Sequence, residues 1–341
     1  MQAAVFEGPG RPLRVTEVPT PAIGSREVLV RVAACGICHT DLHYIDHHVP
    51  TFKTPPLILG HEASGIVEEV GVEVEGVRPG DRVLLPAVLT CGRCAQCRRG
   101  RENICERMVM FGNHIDGAYA EFVAAPAKDI FHVPDEIPLE EAAIIADAMS
   151  TPFHAVTLRG RVQPGDWVVV LGCGGVGLNL VQIAAAVGAS IIAVDLVEEK
   201  LALAMELGAR HAINGRDEQL PRTVRKLTGG GADVAFEAIG APKTIGVAFD
   251  CLRRGGRLVL VGYSAEPAEL NAAKTMFFEM EIVGSLGCRP VDYPRVIALV
   301  QSGKLRIGPL ISHRLPLTEI NAGLDLLREG KSIRALVLPA A

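Results

Sequence analysis

A glycine-rich turn between an apolar run and a helix-like segment constrains the fold more than any other feature of this sequence. Trp167-Val168-Val169-Val170-Leu171 has the continuous apolar character of a buried parallel strand, and residues 178–187 are typical of a helix. Between them lies a G-x-G-x-x-G pattern, Gly172-Cys173-Gly174-Gly175-Val176-Gly177. Glycines allow a tight turn and a close backbone approach to a pyrophosphate, which then meets the N-terminus of the following helix. The run predicts a βαβ unit that binds a dinucleotide.

An acidic residue follows at the end of the next predicted strand, Ser190-Ile191-Ile192-Ala193-Val194. Asp195 lies 18 positions after Gly177, close to the ~20 expected for the acid that binds the adenosine ribose hydroxyls. Its carboxylate would repel a 2′-phosphate and no arginine follows it directly, so the sequence favours NAD over NADP. Lys200 joins Asp195 and the turn as a candidate cofactor-binding residue. The alternative is a glycine turn followed by an unrelated helix-capping aspartate.

The rest of the chain divides by its periodicity. Strands and helices alternate up to residue 286, with later strands predicted at Val234-Ala235-Phe236, Leu258-Val259-Leu260-Val261 and Glu281-Ile282-Val283. This alternation predicts a doubly wound parallel α/β sheet. The N-terminal part is instead rich in short strands separated by turn formers such as Arg78-Pro79-Gly80-Asp81, which predicts an antiparallel, barrel-like module.

The C-terminal part contains a predicted helix, Tyr293 to Ser302, and a predicted last strand, Arg334-Ala335-Leu336-Val337-Leu338. Such a strand is able to close back onto the first domain. We therefore expect an α/β protein with two domains, one formed by residues 1–147 and 287–341 and the other by residues 148–286.

Charge and cysteine content limit the class of protein. The formal net charge is −5, without the basic excess that favours nucleic acid. No apolar stretch approaches the roughly 20 residues of a membrane span, and the N-terminal apolar run is too short for a signal peptide. We therefore expect a cytoplasmic protein that binds neither membrane nor nucleic acid. Nine cysteines, an odd number, favour metal ligation and free thiols over a disulfide framework.

Four of the cysteines form a short cluster, at Cys91, Cys94, Cys97 and Cys105. Two C-x-x-C steps followed by a fourth cysteine suit four thiolates that converge on one tetrahedral zinc. A site with four protein ligands has no open position, so we expect a structural metal. An iron–sulfur cluster is possible on ligand type. A nucleic-acid-binding zinc finger is disfavoured, because histidine ligands and a basic face are missing.

Two polar groups interrupt the apolar first domain, Cys38-His39-Thr40-Asp41-Leu42-His43 and Gly60-His61-Glu62. A thiolate and an imidazole on separate loops can share a metal while leaving a position for substrate. Each residue alone is weak evidence, because single cysteines are common in protein cores.

These stretches together resemble the zinc-containing medium-chain alcohol dehydrogenase family, over nearly the full length of the chain. The resemblance is carried by the stretches 36–41, 60–62, 79–81, 91–105 and 172–177. It implies a GroES-like, β-rich catalytic domain beside a Rossmann domain of the medium-chain dehydrogenase/reductase type, with two zinc ions per subunit. Bacterial relatives are usually homotetramers or dimers, so the resemblance also implies a homo-oligomer.

The resemblance assigns residues to the catalytic zinc. Cys38 and His61 are implied ligands, and Glu62 is a neighbouring carboxylate that approaches the metal transiently. Asp41 is the implied carboxylate that orients the metal-bound histidine. Cys91, Cys94, Cys97 and Cys105 are the implied ligands of the structural zinc.

The third ligand position departs from the best-known members, which carry a cysteine there. This chain has Asp147, similar to a set of bacterial relatives that includes secondary-alcohol dehydrogenases. Carboxylate oxygen is an accepted zinc ligand, and a thiolate with a carboxylate neutralises the metal as two thiolates would. The alternative is that Asp147 only caps a helix beginning at Ala148.

The resemblance also implies a proton path and further cofactor contacts. Thr40 is the hydroxyl that takes the alcohol proton, and His43 passes it, by way of the cofactor ribose, toward solvent. His39 and Arg289 match positions near the cofactor phosphates, although a surface arginine is the alternative for Arg289.

The implied reaction is reversible oxidation of an alcohol, in which a zinc-bound alkoxide transfers hydride to NAD and gives an aldehyde or ketone with NADH. The aliphatic and aromatic residues from Tyr44 to Pro56 suit an uncharged alcohol. A polyol or L-threonine dehydrogenase is the alternative within the family. An enone reductase of the same superfamily is one rival, but such reductases lack the pair of Cys38 and His61 and the four-cysteine cluster. A zinc-stabilised nucleotide sensor without turnover is a rival of another class, and an alcohol-dependent rise in NADH would exclude it.

Overall fold

The computed structural model describes residues 1–339 of the 341-residue chain. The chain divides into two compact units. The first unit consists of Met1–Ser150, Gly287–Gly303 and Ile307–Ala341, and the second of Thr151–Leu286 with Lys304–Arg306. In the described part of the chain, no helix combines the length and the apolar character needed to cross a membrane.

The N-terminal part of the first unit is mostly short strands. These are β1 (Gln2–Phe6), β2 (Arg14–Glu17), β3 (Glu27–Gly36), β4 (Leu57–Ile58), β5 (Ala63–Val70), β6 (Arg82–Leu85), β7 (Val88–Leu89), β8 (Val109–Met110), β9 (Phe122–Pro126) and β10 (Phe131–His132). The helices are α1 (His39–Ile45), α2 (Ala95–Arg98), α3 (Leu139–Ala142) and α4 (Ser150–His154), of which α4 extends into the second unit. Short 3-10 helices span Glu102–Ile104, Ala127–Asp129 and Ala143–Ile145.

The second unit alternates strands and helices. Its strands are β11 (Trp167–Leu171), β12 (Ser190–Asp195), β13 (His211–Asn214), β14 (Ala232–Glu237), β15 (Leu252–Leu260) and β16 (Glu281–Gly284). Its helices are α5 (Gly175–Val187), α6 (Glu198–Glu206), α7 (Leu220–Thr228), α8 (Pro242–Asp250) and α9 (Ala272–Phe277), preceded by a π-helix at Ala155–Gly160.

The C-terminal part returns to the first unit. It contains α10 (Tyr293–Gln301), β17 (Ile311–Pro316), α11 (Ile320–Arg328) and β18 (Arg334–Leu338). Short 3-10 helices span Pro290–Asp292, Gly308–Leu310 and Leu317–Glu319.

The main sheet of the first unit joins both ends of the chain. Its strand order is β10-β6-β5-β3-β18-β17, with β9 also paired to β3. The pairs among β3, β5, β6, β9 and β10 are antiparallel, and β18 pairs with β3 in antiparallel register at Leu336↔Gly36 and Val337↔Cys35. The prediction that the last strand closes onto the first domain is confirmed. A hydrophobic core that includes Tyr119 and Phe111 packs in this unit.

The sheet of the second unit is fully parallel, with the order β13-β12-β11-β14-β15-β16. The side chains of Val168, Val169 and Val170 in β11 are completely buried, as expected for a parallel strand that is covered on both faces. The order in which successive strands are added to the sheet reverses between β11 and β14. In doubly wound sheets, ligands bind outside the carboxyl ends of the strands at such a switch point. The predicted doubly wound sheet is confirmed.

The boundaries of the elements differ from the sequence expectations in small ways. Helix α5 begins at Gly175 instead of at residue 178, because the helix starts inside the glycine turn. Strand β15 begins at Leu252, six residues before the predicted start, because the turn glycines Gly255 and Gly256 lie inside it. The edge strand β13 is short and only half-buried, so it lacks the apolar run on which the other strands were predicted.

Candidate metal centre and cofactor site

Three donors from separate segments of the first unit form a compact group. Cys38, His61 and Asp147 each offer one ligand atom, and these atoms lie within 4.8 Å of one another. Asp147 Oδ2 is 3.5 Å from Cys38 Sγ and 3.6 Å from His61 Nε2. The cysteine and the histidine are buried. The structure therefore brings together the three residues predicted to bind the catalytic metal.

Local backbone geometry positions each of the three donors. Cys38 is the N-cap residue of α1, where its backbone N–H donates to Asp41 Oδ2 at 3.1 Å. His61 follows Gly60, whose φ of +92° favours glycine. A Cβ at Gly60 would also lie 2.8 Å from the Tyr119 ring and 2.9 Å from Cys35 Sγ. Asp147 lies between the 3-10 helix that ends at Ile145 and helix α4, which begins at Ser150.

The charges around this group fit a bound cation. Burial lowers the pKa of His61, but the carboxylates of Asp41 and Asp147 together with Cys38 raise it well above its usual value. A positive charge is therefore favoured at this place, and a metal ion supplies it when the imidazole is neutral. A thiolate, an imidazole and a carboxylate are a normal donor set for zinc, and three protein ligands leave a fourth position for another molecule.

Asp41 lies behind His61. Its Oδ1 is 3.6 Å from His61 Nδ1, and neither atom has a hydrogen-bond partner among residues 1–339. Tyr119 donates its hydroxyl to Asp41 Oδ2 at 2.7 Å. A histidine that binds a metal through Nε2 usually donates its Nδ1 proton to a carboxylate, which fixes the ring. The arrangement fits that role for Asp41.

A buried ion pair lies on another side of the group. Glu62 Oε2 is 3.4 Å from Arg334 Nε, and both side chains are almost completely buried. Glu62 Oε1 accepts a hydrogen bond of 2.8 Å from the backbone N–H of Ala148, and Arg334 donates to the carbonyl of Ile37 at 2.9 Å. Burial raises the pKa of Glu62 to about 7, although Arg334 opposes the rise. A Cβ at Gly36 would overlap Glu62 Oε2, so a larger residue at this position would have to displace the buried carboxylate.

Arg334 is the site residue that sequence reasoning missed. The signal was present, because Arg334 is the one charged residue of an otherwise apolar predicted strand, Arg334–Leu338. Its side chain is 5% exposed, and buried arginines are rare unless they are paired. Burial lowers the pKa of Arg334, but Glu62, and after it Cys38 and Asp147, raise the pKa above its usual value. The charge of Arg334 therefore interacts with the metal-binding residues as well as with Glu62.

The predicted proton-path residues lie on helix α1. Thr40 Oγ1 is 3.6 Å from Cys38 Sγ. His43 follows one turn later and is half-buried, and its Nδ1 lies 3.0 Å from Nδ1 of His47. Burial lowers the pKa of His43, and His47 lowers it further. His39, predicted to lie near the cofactor phosphates, is the first residue of the same helix.

The four-cysteine group is compact as predicted. Its four sulfur atoms lie within 4.8 Å of one another, and the sulfur–sulfur distances include 3.5, 3.9 and 4.0 Å. A tetrahedron with Zn–S bonds of about 2.3 Å has edges of about 3.8 Å. Backbone N–H groups of Arg93 and Cys94 lower the pKa of Cys91 to about 6, against the effect of desolvation. The donor set therefore fits one tetrahedral metal ion.

The glycine turn of the second unit has the conformation that its glycines permit. Gly172 has a φ of +93°, and a Cβ at Gly177 would overlap the carbonyl oxygen of Gly172. Gly174 is the N-cap residue of α5, and Gly175, Val176 and Gly177 form its first turn. The carboxylate of Asp195 accepts hydrogen bonds from the backbone N–H groups of Cys173 at 2.6 Å and Val197 at 3.0 Å. Turn and carboxylate therefore lie side by side, and Lys200 lies in the next helix, α6.

Arg289 has its contacts inside the first unit. Its guanidinium binds both carboxylate oxygens of Asp292, at 2.8 and 3.0 Å, and donates to the carbonyl of Gly100 at 3.5 Å. Hydrogen bonding to Asp292 raises the pKa of Arg289. Its predicted contact with cofactor phosphates stays a prediction.

Comparison with known proteins gives the same picture. Residues 175–302 match the family described as "Zinc-binding dehydrogenase", and residues 24–135 match the family described as "Alcohol dehydrogenase GroES-like domain". An alcohol dehydrogenase of Geobacillus stearothermophilus is 38% identical over 339 residues, with 99% of each chain covered. An L-threonine 3-dehydrogenase of Bacillus licheniformis is 34% identical over 343 residues, with 98% of each covered. The structure of alcohol dehydrogenase TADH from Thermus sp. ATN1 is 34% identical, with a TM-score of 0.92 and 99% of each chain covered.

Proposed function

Since this chain belongs to the zinc-containing medium-chain alcohol dehydrogenase family, we propose that it oxidises uncharged alcohols reversibly to aldehydes or ketones with NAD. The observation that carries this proposal is the group of Cys38, His61 and Asp147, whose three donor atoms leave one position of a tetrahedral metal for substrate. A zinc ion held by these three residues would supply the Lewis acidity that favours loss of the alcohol proton, and bound NAD would supply the hydride acceptor.

The side chains around the metal group hold it in place and balance its charge. Asp41 orients His61, and the Tyr119 hydroxyl in turn fixes Asp41. Arg334 balances the negative charge of Glu62, which otherwise adds to the charges of Cys38 and Asp147. Glu62 is the carboxylate we assign to a transient approach to the metal.

The proton of the alcohol leaves by way of helix α1. We assign the Thr40 hydroxyl to accept this proton, because it lies beside the Cys38 sulfur. We assign His43 to release the proton toward solvent. Residues three apart lie on one face of a helix, so Thr40 and His43 are neighbours. The lowered pKa of His43 favours release of a proton once it has arrived.

We place the NAD-binding domain at residues 148–286 and the zinc-binding domain at residues 1–147 and 287–341. Most of the cofactor residues belong to the NAD-binding domain. His39 and Arg289 belong to the zinc-binding domain. The turn formed by Gly172, Gly174, Gly175, Val176 and Gly177 suits a pyrophosphate, and Asp195 suits the two ribose hydroxyls. Leu196 and Ile239 are about half-exposed apolar side chains just after β12 and β14, and apolar walls of this kind suit an adenine ring. His39, Lys200 and Arg289 are the proposed cations for the phosphates.

The four-cysteine group has a structural role in this proposal. Cys91, Cys94, Cys97 and Cys105 would fill every position of a tetrahedral zinc, so this metal has no place for substrate. It stabilises the loop between β7 and β8.

The proposal also covers assembly and location. Strand β16 is the edge of its sheet and is largely exposed, and Met276 and Phe277 in the preceding helix α9 are 73% and 74% exposed. An exposed strand edge with apolar neighbours suits pairing with a second copy, so we propose a homo-oligomer that a mass measurement in solution tests. We also propose a cytoplasmic location, since none of the nine cysteines, all within the described residues, forms a disulfide, and thiolate ligands of a metal need a reducing compartment.

The test combines metal analysis with NADH absorbance. The wild-type protein is expected to contain two zinc ions per subunit and to form NADH with primary, secondary or cyclic alcohols. Cys38→Ser is expected to keep only the zinc of the four-cysteine group and to lose at least about a thousandfold in kcat/KM, since a Lewis acid contributes several kcal/mol. The control is Cys35→Ser, because Cys35 is also a buried cysteine of the same unit but lies outside the donor group. Undiminished alcohol turnover by Cys38→Ser would refute the proposal.

An L-threonine dehydrogenase is the second candidate, favoured by the 34% identity to such an enzyme over nearly the whole chain. Including L-threonine and polyols in the same substrate panel separates the two. A kcat/KM for threonine above that for every simple alcohol would select the second candidate.

A further inference from the structure

We propose that His47 is the outer member of a two-histidine proton-release pair, which carries the alcohol proton from His43 into solvent. This inference rests on the proposed function. Its basis is a contact between two ring nitrogens, His43 Nδ1 and His47 Nδ1, that lie 3.0 Å apart. The ring centroids are 5.2 Å apart and the ring planes are inclined by 46°, so the nitrogens face each other at the distance of an N–H···N hydrogen bond.

The backbone holds His47 against His43. Helix α1 ends at Ile45, and the N–H of Asp46 still donates to the carbonyl of Leu42 at 2.8 Å. The chain then turns back, because the N–H of Val49 donates to the carbonyl of His43 itself at 3.0 Å. His47 lies inside this turn and therefore has a fixed position relative to the His43 ring.

An ion pair from another element anchors the same turn. The Asp46 carboxylate accepts hydrogen bonds of 2.7 and 2.9 Å from the guanidinium of Arg328 in helix α11. Arg328 also binds Asp325 at 2.6 Å. The charge that α11 brings to this turn is thus already neutralised by two carboxylates, and Asp41 lies on the buried side of α1. His47 is a titratable group in direct ring contact with His43.

The exposure of the two rings gives the pair a direction. His43 is half-buried and His47 is exposed. A proton that arrives at His43 Nε2 allows the Nδ1 proton of His43 to pass to the lone pair of His47 Nδ1. His47 then gives its Nε2 proton to water. One proton enters and one leaves, both rings are neutral before and after, and exchange with water restores the starting tautomers.

Electrostatics keep the proton moving outward. Burial lowers the pKa of His43, and a charge on His47 lowers it further, while Asp41 acts in the opposite direction. These effects favour transfer of a proton from His43 to His47, which then releases it to water. A merely structural contact between the rings would stabilise the turn but would not change how the rate depends on pH.

The experiment compares three variants of the holoenzyme. His47→Gln keeps a hydrogen-bonding side chain but cannot titrate in the same range. His48→Asn is the matched control, since His48 is the next exposed histidine and its φ of +57° is tolerated by asparagine. His43→Gln is the reference for loss of the inner member. Stopped-flow measurements record NADH absorbance and the colour of a pH indicator during one turnover.

We expect His47→Gln to slow proton release roughly three- to tenfold near about pH 7, because water replaces a positioned base less effectively. The difference should vanish above about pH 9, where hydroxide takes the proton directly from His43. The KM for NAD should not change, and added imidazole should restore the rate. His48→Asn should follow the wild-type pH profile throughout.

A His47→Gln profile that coincides with the wild type, while His43→Gln is slowed, would overturn this inference and leave the proposed function intact. A wild-type protein that forms no NADH with any alcohol would instead overturn the proposed function, and this inference with it. Circular dichroism of each variant shows whether the fold is preserved, which is expected at an exposed position.

Discussion

The two groups of metal donors in the first unit differ in how the chain assembles them. The four-cysteine group uses one type of ligand from a single segment of fifteen residues, Cys91 to Cys105. The second group uses three types of ligand, from Cys38, His61 and Asp147, which are far apart in the sequence. The first group is complete by itself, whereas the second exists only when β3, β5 and the segment before α4 are packed together.

The difference extends to the surroundings. Arg93, Arg98, Arg99, Arg101 and Arg107 around the four cysteines are exposed to solvent. Around the three-donor group, Asp41, Glu62 and Arg334 are buried. A buried charge acts strongly on its neighbours because little water screens it. A closed group of ligands surrounded by exposed charges suits stability, and an incomplete group among buried charges suits chemistry.

Removing the carboxylate ligand should have the largest effect. Asp147→Ala leaves a thiolate and an imidazole, which are too few ligands for a stable zinc site. We expect the zinc content to fall from two ions to one per subunit and kcat/KM to fall at least about a thousandfold, because the Lewis acid contributes several kcal/mol. Elemental analysis and NADH absorbance measure both quantities. Full activity with a single zinc would mean that the three-donor group is not a catalytic metal site.

Breaking the buried ion pair should come next. Arg334→Met leaves Glu62 without a charge partner in the core, which typically costs about 3–5 kcal/mol of folding free energy. Urea denaturation measures the change. Arg314→Met is the matched control on the neighbouring strand β17, where the ion pair with Glu141 is partly exposed and such pairs contribute about 1 kcal/mol or less. An equal loss of folding free energy in the two variants would show that the buried pair contributes no more to stability than the exposed pair.

Opening the four-cysteine group should affect stability instead of chemistry. Cys97→Ser is expected to release one zinc and to lower the melting temperature by roughly 5–10 °C, while kcat/KM at room temperature stays within about twofold. Cys251→Ser, at a buried cysteine of the second unit, is the control that keeps both metals. A large loss of activity in Cys97→Ser, with the other zinc still bound, would show that the four-cysteine group takes part in the reaction.

The smallest effect is expected when the ligand types of the two groups are made more alike. Asp147→Cys gives the second group two thiolates and an imidazole without changing its charge, so kcat/KM should stay within about tenfold of the wild type. Thiolate is the softer ligand, so the catalytic zinc should also resist a chelator for longer. Metal retention during dialysis against a chelator checks this; faster loss than in the wild type would contradict it.

The features predicted well from the sequence are those formed by residues within one short segment. The glycine turn, the apolar strand β11 and the four cysteines each occupy a few consecutive residues, and their spacing alone constrains the geometry. Strand β18 was predicted with its observed bounds, because Arg334–Leu338 is a continuous apolar run after its first residue.

The features that were missed depend on contacts across the sequence. The pair of Glu62 and Arg334 spans most of the chain, and no local pattern connects the two residues. The contact of His43 with His47 depends on how the backbone turns after α1 ends, which the sequence does not specify. Asp147 entered the candidate site through family resemblance and not through spacing, because a lone aspartate before a helix equally suits a cap.

The pairing of β18 with β3 has a consequence for how the protein is made. The ribosome synthesises β3 early together with its partners β5 and β9, but its third partner, β18, emerges only after the entire second unit has been translated. Glu62 is therefore synthesised long before Arg334, the residue that neutralises its charge in the folded protein. Nascent chains that stall before Arg334 would carry an unfinished sheet and an uncompensated acid, which makes them natural clients for chaperones and proteases.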